Sequence, residues 1–120
     1  MKHKELIWIG SSKKDLQDLP DEVIDSMGYG LYLAQKGQMP EHAKVLKGFG
    51  SAGVIEIKDS DAAGTYRVVY TVTMPEVVFV LHAFQKKSKQ GIKTPQQDIE
   101  LIKSRLKLAE EIYKEKFKKK

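Results

Sequence analysis

The sequence predicts a single α+β domain over residues 1–120, in which helices cover one face of a mainly antiparallel sheet. Three observations predict this fold class. Two helix-like segments follow a first strand, β-rich segments joined by short turns fill the middle, and a long amphipathic segment comes last. The order β-α-α-β-β-β-α favours one sheet with helices packed on it, because strands joined by short turns pair antiparallel.

The first third of the chain predicts a strand followed by a bent pair of helices. Residues 6–9 are apolar and rich in Ile and Trp, which is typical of a strand. Ser11 and Ser12 are helix-capping residue types. Pro20 interrupts the first helix and suits the first position of the second, in which apolar residues recur at steps of three and four as far as Ala34.

The middle of the chain predicts an antiparallel meander. The glycine-rich residues 37–53 predict a loop, with a short strand or turn near residues 43–46. Alternating polar and apolar residues, and then nearly continuous β-branched and aromatic residues, predict three strands. The three predicted strands are 54–58, 65–73 and 77–84, and the turns between them are 59–64 and 74–76.

A long helix is predicted to end the fold. Thr94 is placed to cap it, Pro95 to take its first position and Gln97 to complete a capping box. A helix running to Phe117 is about 36 Å long at 1.5 Å per residue, as long as a domain of this size is wide. We therefore expect its Lys-rich end, residues 113–120, to project or fray. Three apolar residues would then be poorly covered: Ile112, Tyr113 and Phe117.

Composition excludes several function classes. The chain has no cysteine, which excludes disulfides, a thiolate nucleophile and cysteine-ligated zinc. No cluster of His, Asp and Glu has metal-ligand spacing and no Gly-rich phosphate loop precedes a helix, so we expect neither a metal nor a nucleotide cofactor. The longest apolar run has five residues, far below the roughly 20 of a membrane helix. A cytoplasmic protein without a membrane partner is predicted.

The charge is uneven along the chain. Residues 1–60 carry 8 basic and 9 acidic residues, whereas residues 61–120 carry 13 basic and 7 acidic residues. A near-neutral half joined to a basic half predicts contact with a polyanion on one side of the molecule.

Arg67 is the first candidate site residue, because it is the one formal charge in its strand. Strand alternation puts it on the face shared by Val69 and Thr71, opposite the face of Tyr66 and Val68. A mid-sheet arginine held by its neighbours presents a fork that suits phosphate oxygens. We predict that Arg67→Ala removes the protein's activity.

A run of lysines directly follows the last strand, beside the strand of Arg67. Lys58, at the end of another strand, and Lys47, in the loop before it, can join the same face. A solvated basic loop is the ordinary interpretation, but the position favours a cationic cleft that binds phosphates and stabilises a developing phosphorane charge. The lysines of the run are Lys86, Lys87, Lys89 and Lys93.

Other polar residues give weaker signals. Glu56 shares strand parity with Lys58 and could be a general base or a salt-bridge partner, and the second role is favoured. Glu41 and His42 lie in the glycine-rich loop, where exposure is expected. His82, whose parity matches Val80, is predicted to be a buried or half-buried structural histidine.

Several segments together resemble the RelE/ParE toxin superfamily, and its HigB-like, phage-derived branch most of all. The similarity runs from about residue 6 to residue 105. The segments are Leu46-Lys47-Gly48, Glu56-Ile57-Lys58, Gly64-Thr65-Tyr66-Arg67-Val68-Val69-Tyr70, Leu81-His82-Ala83-Phe84-Gln85-Lys86-Lys87 and Lys93-Thr94-Pro95.

The resemblance implies a RelE-like fold and the toxin of a type II toxin–antitoxin system. Many members cut mRNA in the ribosomal A site without metal, the 2′-hydroxyl attacking the adjacent phosphate. Arg67 matches the arginine placed against the scissile phosphate. Lys86 and Lys87 fall where members carry catalytic residues, and Glu41 falls near a carboxylate base. Members with a clear acid/base pair use His and Tyr near the chain end, whereas this sequence offers lysines.

The resemblance leaves three functions open. The first is a ribosome-dependent mRNA endoribonuclease, with Lys58 also catalytic and Lys47, Lys89 and Lys93 binding RNA. The second is a ParE-like inhibitor of DNA gyrase, which needs no catalytic residues. The third is a non-enzymatic module that docks a partner through its last helix. A helix–turn–helix antitoxin and a second copy of the chain, paired through that helix, are the expected protein partners.

Overall fold

Within residues 3–86 and 94–117, which the computed structural model describes, the chain forms five strands and three α-helices. The elements are β1 (Glu5–Trp8), α1 (Ser12–Gln17), α2 (Asp21–Gln35), β2 (Ala43–Val45), a 3-10 turn (Gly50–Ala52), β3 (Val54–Asp61), β4 (Gly64–Thr71), β5 (Val77–Lys86) and α3 (Gln96–Lys116). The predicted α+β class and order of elements are confirmed, and the short strand near residues 43–46 is β2.

The strands form one mostly antiparallel sheet in the order β1-β5-β4-β3-β2. β1 pairs in parallel with β5, and the pairs β2–β3, β3–β4 and β4–β5 are antiparallel. A parallel pair needs a long crossover, and here the whole stretch from α1 to β4 lies between its two strands. The predicted meander of three strands forms the centre of the sheet.

The sheet carries helices on both faces, so the prediction that helices cover only one face is wrong. α1 and α2 pack on one face with Tyr66 and Val68, and α3 packs on the other with Val69 and Phe79. The alternation predicted for β4 is correct. Because β4 and β5 are apolar on both of their faces, both faces need cover from water, and α3 covers much of the face expected to stay open.

The hairpin between β3 and β4 is tighter than predicted. Residues 59–61 were expected in a turn, but they continue β3 and pair with residues 64–66. Only two residues form the turn, because the Asp61 carboxylate accepts the Ala63 backbone N–H at 2.8 Å. An Asp side chain that bonds the backbone two residues on is a common way to stabilise such turns.

α3 is packed along its length by its own domain, so the expectation of poorly covered residues near its end is wrong. Tyr113 is buried and donates a 2.6 Å hydrogen bond from its hydroxyl to Glu76. The Phe117 ring stacks on the Tyr113 ring at 5.5 Å between centroids. α3 continues to Lys116, and residues 118–120 of the expected projecting end lie outside the described residues.

Candidate functional site

A charged cleft lies beside the start of α3, on the face of the sheet that α3 only partly covers. Its volume is about 370 Å³. Strands β2, β3 and β4 each contribute one charged residue. Two uncharged residues come from α3 and the loop before it, and the loop after β2 contributes one leucine and one lysine. The lining residues are Lys44, Leu46, Lys47, Glu56, Arg67, Thr94 and Ile99.

Strand register brings the charged residues together. Lys44 stands directly opposite Glu56, and Lys58 stands directly opposite Arg67. Residues opposite each other in antiparallel strands share a face and lie about 5 Å apart at their Cβ atoms. The alternation of each strand therefore places these four side chains on the α3 face.

Arg67 lies at the floor of the cleft in a buried ion pair. One of its guanidinium nitrogens, Nη1, donates to Glu56 Oε1 at 2.9 Å, and each of the two side chains is 1% exposed. The prediction that neighbours hold Arg67 is confirmed, as is the role of Glu56 as a salt-bridge partner. Burial at this level means that removing either charge leaves the other uncompensated.

Thr94 completes the floor and overturns the predicted capping of α3. Its hydroxyl donates to Glu56 Oε2 at 2.6 Å and accepts a bond from Arg67 Nη1 at 3.3 Å. The residue before the helix is Pro95, with no side-chain cap. A hydroxyl already bonded to a buried carboxylate is not available to cap a helix, so the start of α3 is fixed through the ion pair instead.

Two of the predicted lysines lie near Arg67 on the same face. Lys58 is half-buried opposite Arg67. Lys86, also half-buried, pairs with Thr65 two residues along β4 from Arg67. Lys47 is exposed and lines the cleft itself. The structure thus puts Lys58 and Lys86 on the Arg67 face, on the strands either side of β4, and Lys47 at the cleft that Arg67 lines.

Of the remaining predicted site residues, Glu41 does not line the cleft. Glu41 lines a separate cleft of about 510 Å³ with Tyr29 and other residues of α2. Its α2 residues and Ile57 put that cleft on the α2 face of the sheet. Lys58 also lines it, although the pairing with Arg67 directs the Lys58 side chain to the α3 face. Lys87, Lys89 and Lys93 lie outside the described residues.

Sequence reasoning missed Lys44 and Thr94 as residues of the site. Lys44 lies in a segment predicted only as a short strand or turn, so its face could not be assigned before β2 was paired with β3. The helix-capping pattern around Thr94 indicated a different hydrogen bond. Thr94 and Glu56 are 38 positions apart in the sequence, so no local sequence pattern indicates that they are in contact.

His82 is a buried structural residue, as predicted, but a bulge changes its neighbours. Val69 pairs with His82 while Tyr70 pairs with Val80, so Leu81 is an extra residue in β5. The bulge turns His82 to the α3 face, away from the face of Val80, which corrects the predicted parity. His82 Nε2 lies 2.7 Å from Asp98 Oδ1 of α3.

Three tyrosines have pKa values raised above the ordinary range. Burial in the core raises the pKa of Tyr70. Burial and the nearby Asp61 carboxylate raise that of Tyr66, and the hydrogen bond to Glu76 raises that of Tyr113. These phenols stay protonated at neutral pH and do not serve as bases there.

No three His, Asp or Glu side chains among residues 3–86 and 94–117 are grouped so that they could hold a metal ion. In the same residues, no helix is long and apolar enough to cross a membrane.

The arrangement of strands and helices matches the RelE fold. The structure of a doubly substituted variant of the Escherichia coli toxin RelE in the free state is similar, with a TM-score of 0.57 and 20% identity. That match covers 90% of this chain and 98% of the RelE chain. A chain in the toxin–antitoxin complex RelBE2 from Mycobacterium tuberculosis has a TM-score of 0.50 and 20% identity, covering 73% of this chain and 97% of its own.

Residues 14–107 match the family described as phage derived protein Gp49-like. The chain belongs to this family, and its resemblance to the phage-derived branch is confirmed. No curated protein sequence matches the chain significantly.

Proposed function

We propose that this protein is the toxin of a type II toxin–antitoxin system and that it inhibits translation by cutting mRNA on the ribosome without a metal ion. The observation that carries the proposal is the cluster of lysines around the cleft above Arg67, in a chain with the RelE fold. The structural neighbours are a toxin and a toxin–antitoxin complex.

The charge of the cleft suits RNA phosphates. Glu56 offsets Arg67, so the excess positive charge comes from the surrounding lysines. Lys44 and Lys47 are exposed at the cleft, where they can contact the backbone of a single strand. Lys58 and Lys86 extend the positive surface along the sheet. Contacts of this kind give affinity that falls as salt rises.

The proposed reaction needs positioning and charge stabilisation. The 2′-hydroxyl attacks the adjacent phosphorus, the bond to the 5′-oxygen breaks, and the products carry a 2′,3′-cyclic phosphate and a 5′-hydroxyl. We assign stabilisation of the phosphorane charge to Arg67, Lys58 and Lys86. One of the two lysines, or Lys87 next to Lys86, supplies the proton taken up by the leaving oxygen.

Glu41 is the proposed acceptor of the proton that the 2′-hydroxyl loses. It is exposed, and it lines a cleft that also includes Lys58. Because α2 and Ile57 place that cleft on the other face of the sheet from Arg67, Glu41 must reach the substrate around the β2 edge of the sheet, past Lys58. We further propose that Lys47, Lys89 and Lys93 bind the strand beyond the reacting phosphate.

The proposed partners are the ribosome with its mRNA and a helix–turn–helix antitoxin, and the proposed location is the cytoplasm. The M. tuberculosis neighbour is a toxin–antitoxin complex, which supports an antitoxin partner here. A homodimer through α3 has less support, because Tyr113 and Phe117 pack within their own domain.

Inducible expression in bacteria tests the function. The wild type, Lys44→Ala/Lys47→Ala and the control Lys103→Ala/Lys107→Ala are compared for growth, with mRNA 5′ ends mapped. The control removes two exposed lysines of α3 that line no cleft described above. We expect new 5′ ends in translated mRNA and arrested growth for the wild type and the control, and weak effects for the cleft variant.

Two results would contradict this proposal. Arrested growth with gyrase-linked DNA breaks and unchanged mRNA ends would favour the ParE-like alternative. Normal growth, with an intact ribosome and soluble protein, would favour a non-enzymatic binding module.

A further inference from the structure

Among the residues that the structure describes, the Glu56 carboxylate has one donor on each oxygen. Arg67 Nη1 donates to Oε1 at 2.9 Å, and the Thr94 hydroxyl donates to Oε2 at 2.6 Å. The guanidinium and the hydroxyl also contact each other at 3.3 Å. The three groups form a closed ring, in which two donors hold two oxygens of one anion.

The Arg67 guanidinium and the Thr94 hydroxyl are suited to bind a phosphate as well as a carboxylate. A guanidinium and a hydroxyl that grip two oxygens of one anion can grip two oxygens of a phosphate in the same way. The cleft above the ring is lined by Lys44 and Lys47, which attract phosphates. An incoming phosphate therefore meets the anion position already occupied by Glu56.

The register provides a second cation for Glu56. Lys44 stands directly opposite Glu56 in β2 and lines the same cleft. At the short spacing of such cross-strand pairs, Lys44 is the cation to which the Glu56 carboxylate would turn on leaving Arg67. Lys44 is exposed, so it can follow the carboxylate.

We propose that Glu56 is an internal competitor for the anion position between Arg67 and Thr94, and that it turns to Lys44 when a substrate phosphate takes this position. That the phosphate belongs to RNA rests on the proposed function. The competition itself is a property of the cleft. Glu56 thus holds Arg67 ready in the free protein and limits which anions reach it.

The experiment measures binding of inorganic phosphate at constant ionic strength, from the thermal shift of the full-length protein. We expect Glu56→Gln to bind phosphate about 10-fold more tightly than the wild type, and the control Lys103→Ala to bind like the wild type. Single-stranded RNA is titrated in parallel. One additional phosphate contact steepens the dependence of log K on log salt by about 0.7. A folded Glu56→Gln protein with unchanged phosphate affinity and an unchanged salt slope would overturn the proposal.

Glu56→Asp keeps the test decisive if Glu56→Gln does not fold. It keeps the charge but shortens the side chain, so the carboxylate reaches Arg67 and Thr94 less well and we expect tighter phosphate binding, whereas unchanged affinity would overturn the proposal. Lys44→Ala is measured in the wild-type and Glu56→Gln backgrounds. Lys44→Ala should change the phosphate affinity less in the Glu56→Gln background, because that protein has no Glu56 carboxylate to turn towards Lys44. Equal changes in the two backgrounds would contradict the role of Lys44.

The two proposals can fail separately. Phosphate binding that responds to Glu56→Gln as expected, without any mRNA cleavage in cells, would overturn the nuclease function and leave the competition intact. Cleavage by the wild type, with no effect of Glu56→Gln on phosphate or RNA binding, would overturn the competition and leave the nuclease function intact.

Discussion

Arg67 and Glu56 form a 2.9 Å ion pair in which each side chain is 1% exposed. The two residues come from neighbouring strands and are 11 positions apart in the sequence. Through Thr94 the pair also reaches the start of α3. It therefore joins β3, β4 and α3 at the point where the candidate site lies, and any substitution in it changes stability and chemistry together.

We predict that Arg67→Ala lowers the free energy of unfolding by about 3–5 kcal/mol, because it leaves the Glu56 charge buried without its partner. Urea denaturation followed by circular dichroism measures the change. The double variant Arg67→Met/Glu56→Leu removes both charges and should lose less than Arg67→Ala alone. An equal loss in the two proteins would contradict this account.

The same argument changes how the toxicity of Arg67→Ala is interpreted. The sequence predicts that this substitution removes activity, but loss of the folded protein would give the same result. Growth should therefore be compared at equal levels of soluble protein.

We predict that Tyr70→Phe raises stability by about 1 kcal/mol or more. The Tyr70 hydroxyl is buried, with no hydrogen-bond partner in the described part of the chain, and an unsatisfied buried polar group costs about 1–3 kcal/mol. Tyr66→Phe is the matched control. Its hydroxyl donates to Asp61 at 3.0 Å, so its loss should lower stability.

Tyr70 also gives a prediction at alkaline pH. Burial raises its pKa in the folded protein, so above about pH 10 the unfolded chain loses the phenolic proton while the folded chain keeps it. Stability then falls by about 1.4 kcal/mol per pH unit on account of this group. Unfolding curves between pH 9 and about pH 11 should show a shallower fall for Tyr70→Phe. The same slope in both proteins would contradict the raised pKa.

We predict that alanine is better tolerated at Gly28 than at Gly30 in α2. At Gly28 an added Cβ meets no atom within 4 Å, so Gly28→Ala should gain about 1 kcal/mol from helix propensity. At Gly30 it would lie 2.8 Å from Ile57 Cδ1, so Gly30→Ala should gain less or lose stability. Ile57→Val removes that methyl group, and Gly30→Ala should become more favourable in this background. Identical effects in both backgrounds would contradict the contact.

Local patterns in the sequence account for most elements of the fold and for part of the site. Alternation in β4 correctly gives the face of Arg67, because strand geometry fixes side-chain direction. The alternation does not show that α3 packs on that face, because the apolar residues beside Arg67 can be covered equally well by a helix or by a second sheet. Thr94 and Lys44 join the site only through contacts with a distant strand, which no local pattern encodes.

The role of Glu41 is tested by Glu41→Gln, which removes the proposed acceptor of the 2′-hydroxyl proton and keeps the shape of the side chain. General base catalysis contributes typically about 10²–10⁴-fold, so we expect at least about a 100-fold slower cleavage of ribosome-bound mRNA with unchanged ribosome binding. Glu22→Gln is the control, because Glu22 is an exposed carboxylate of α2 that lines neither of the two clefts. Cleavage by Glu41→Gln at the wild-type rate would assign the proton to another group and separate the Glu41 cleft from the reaction.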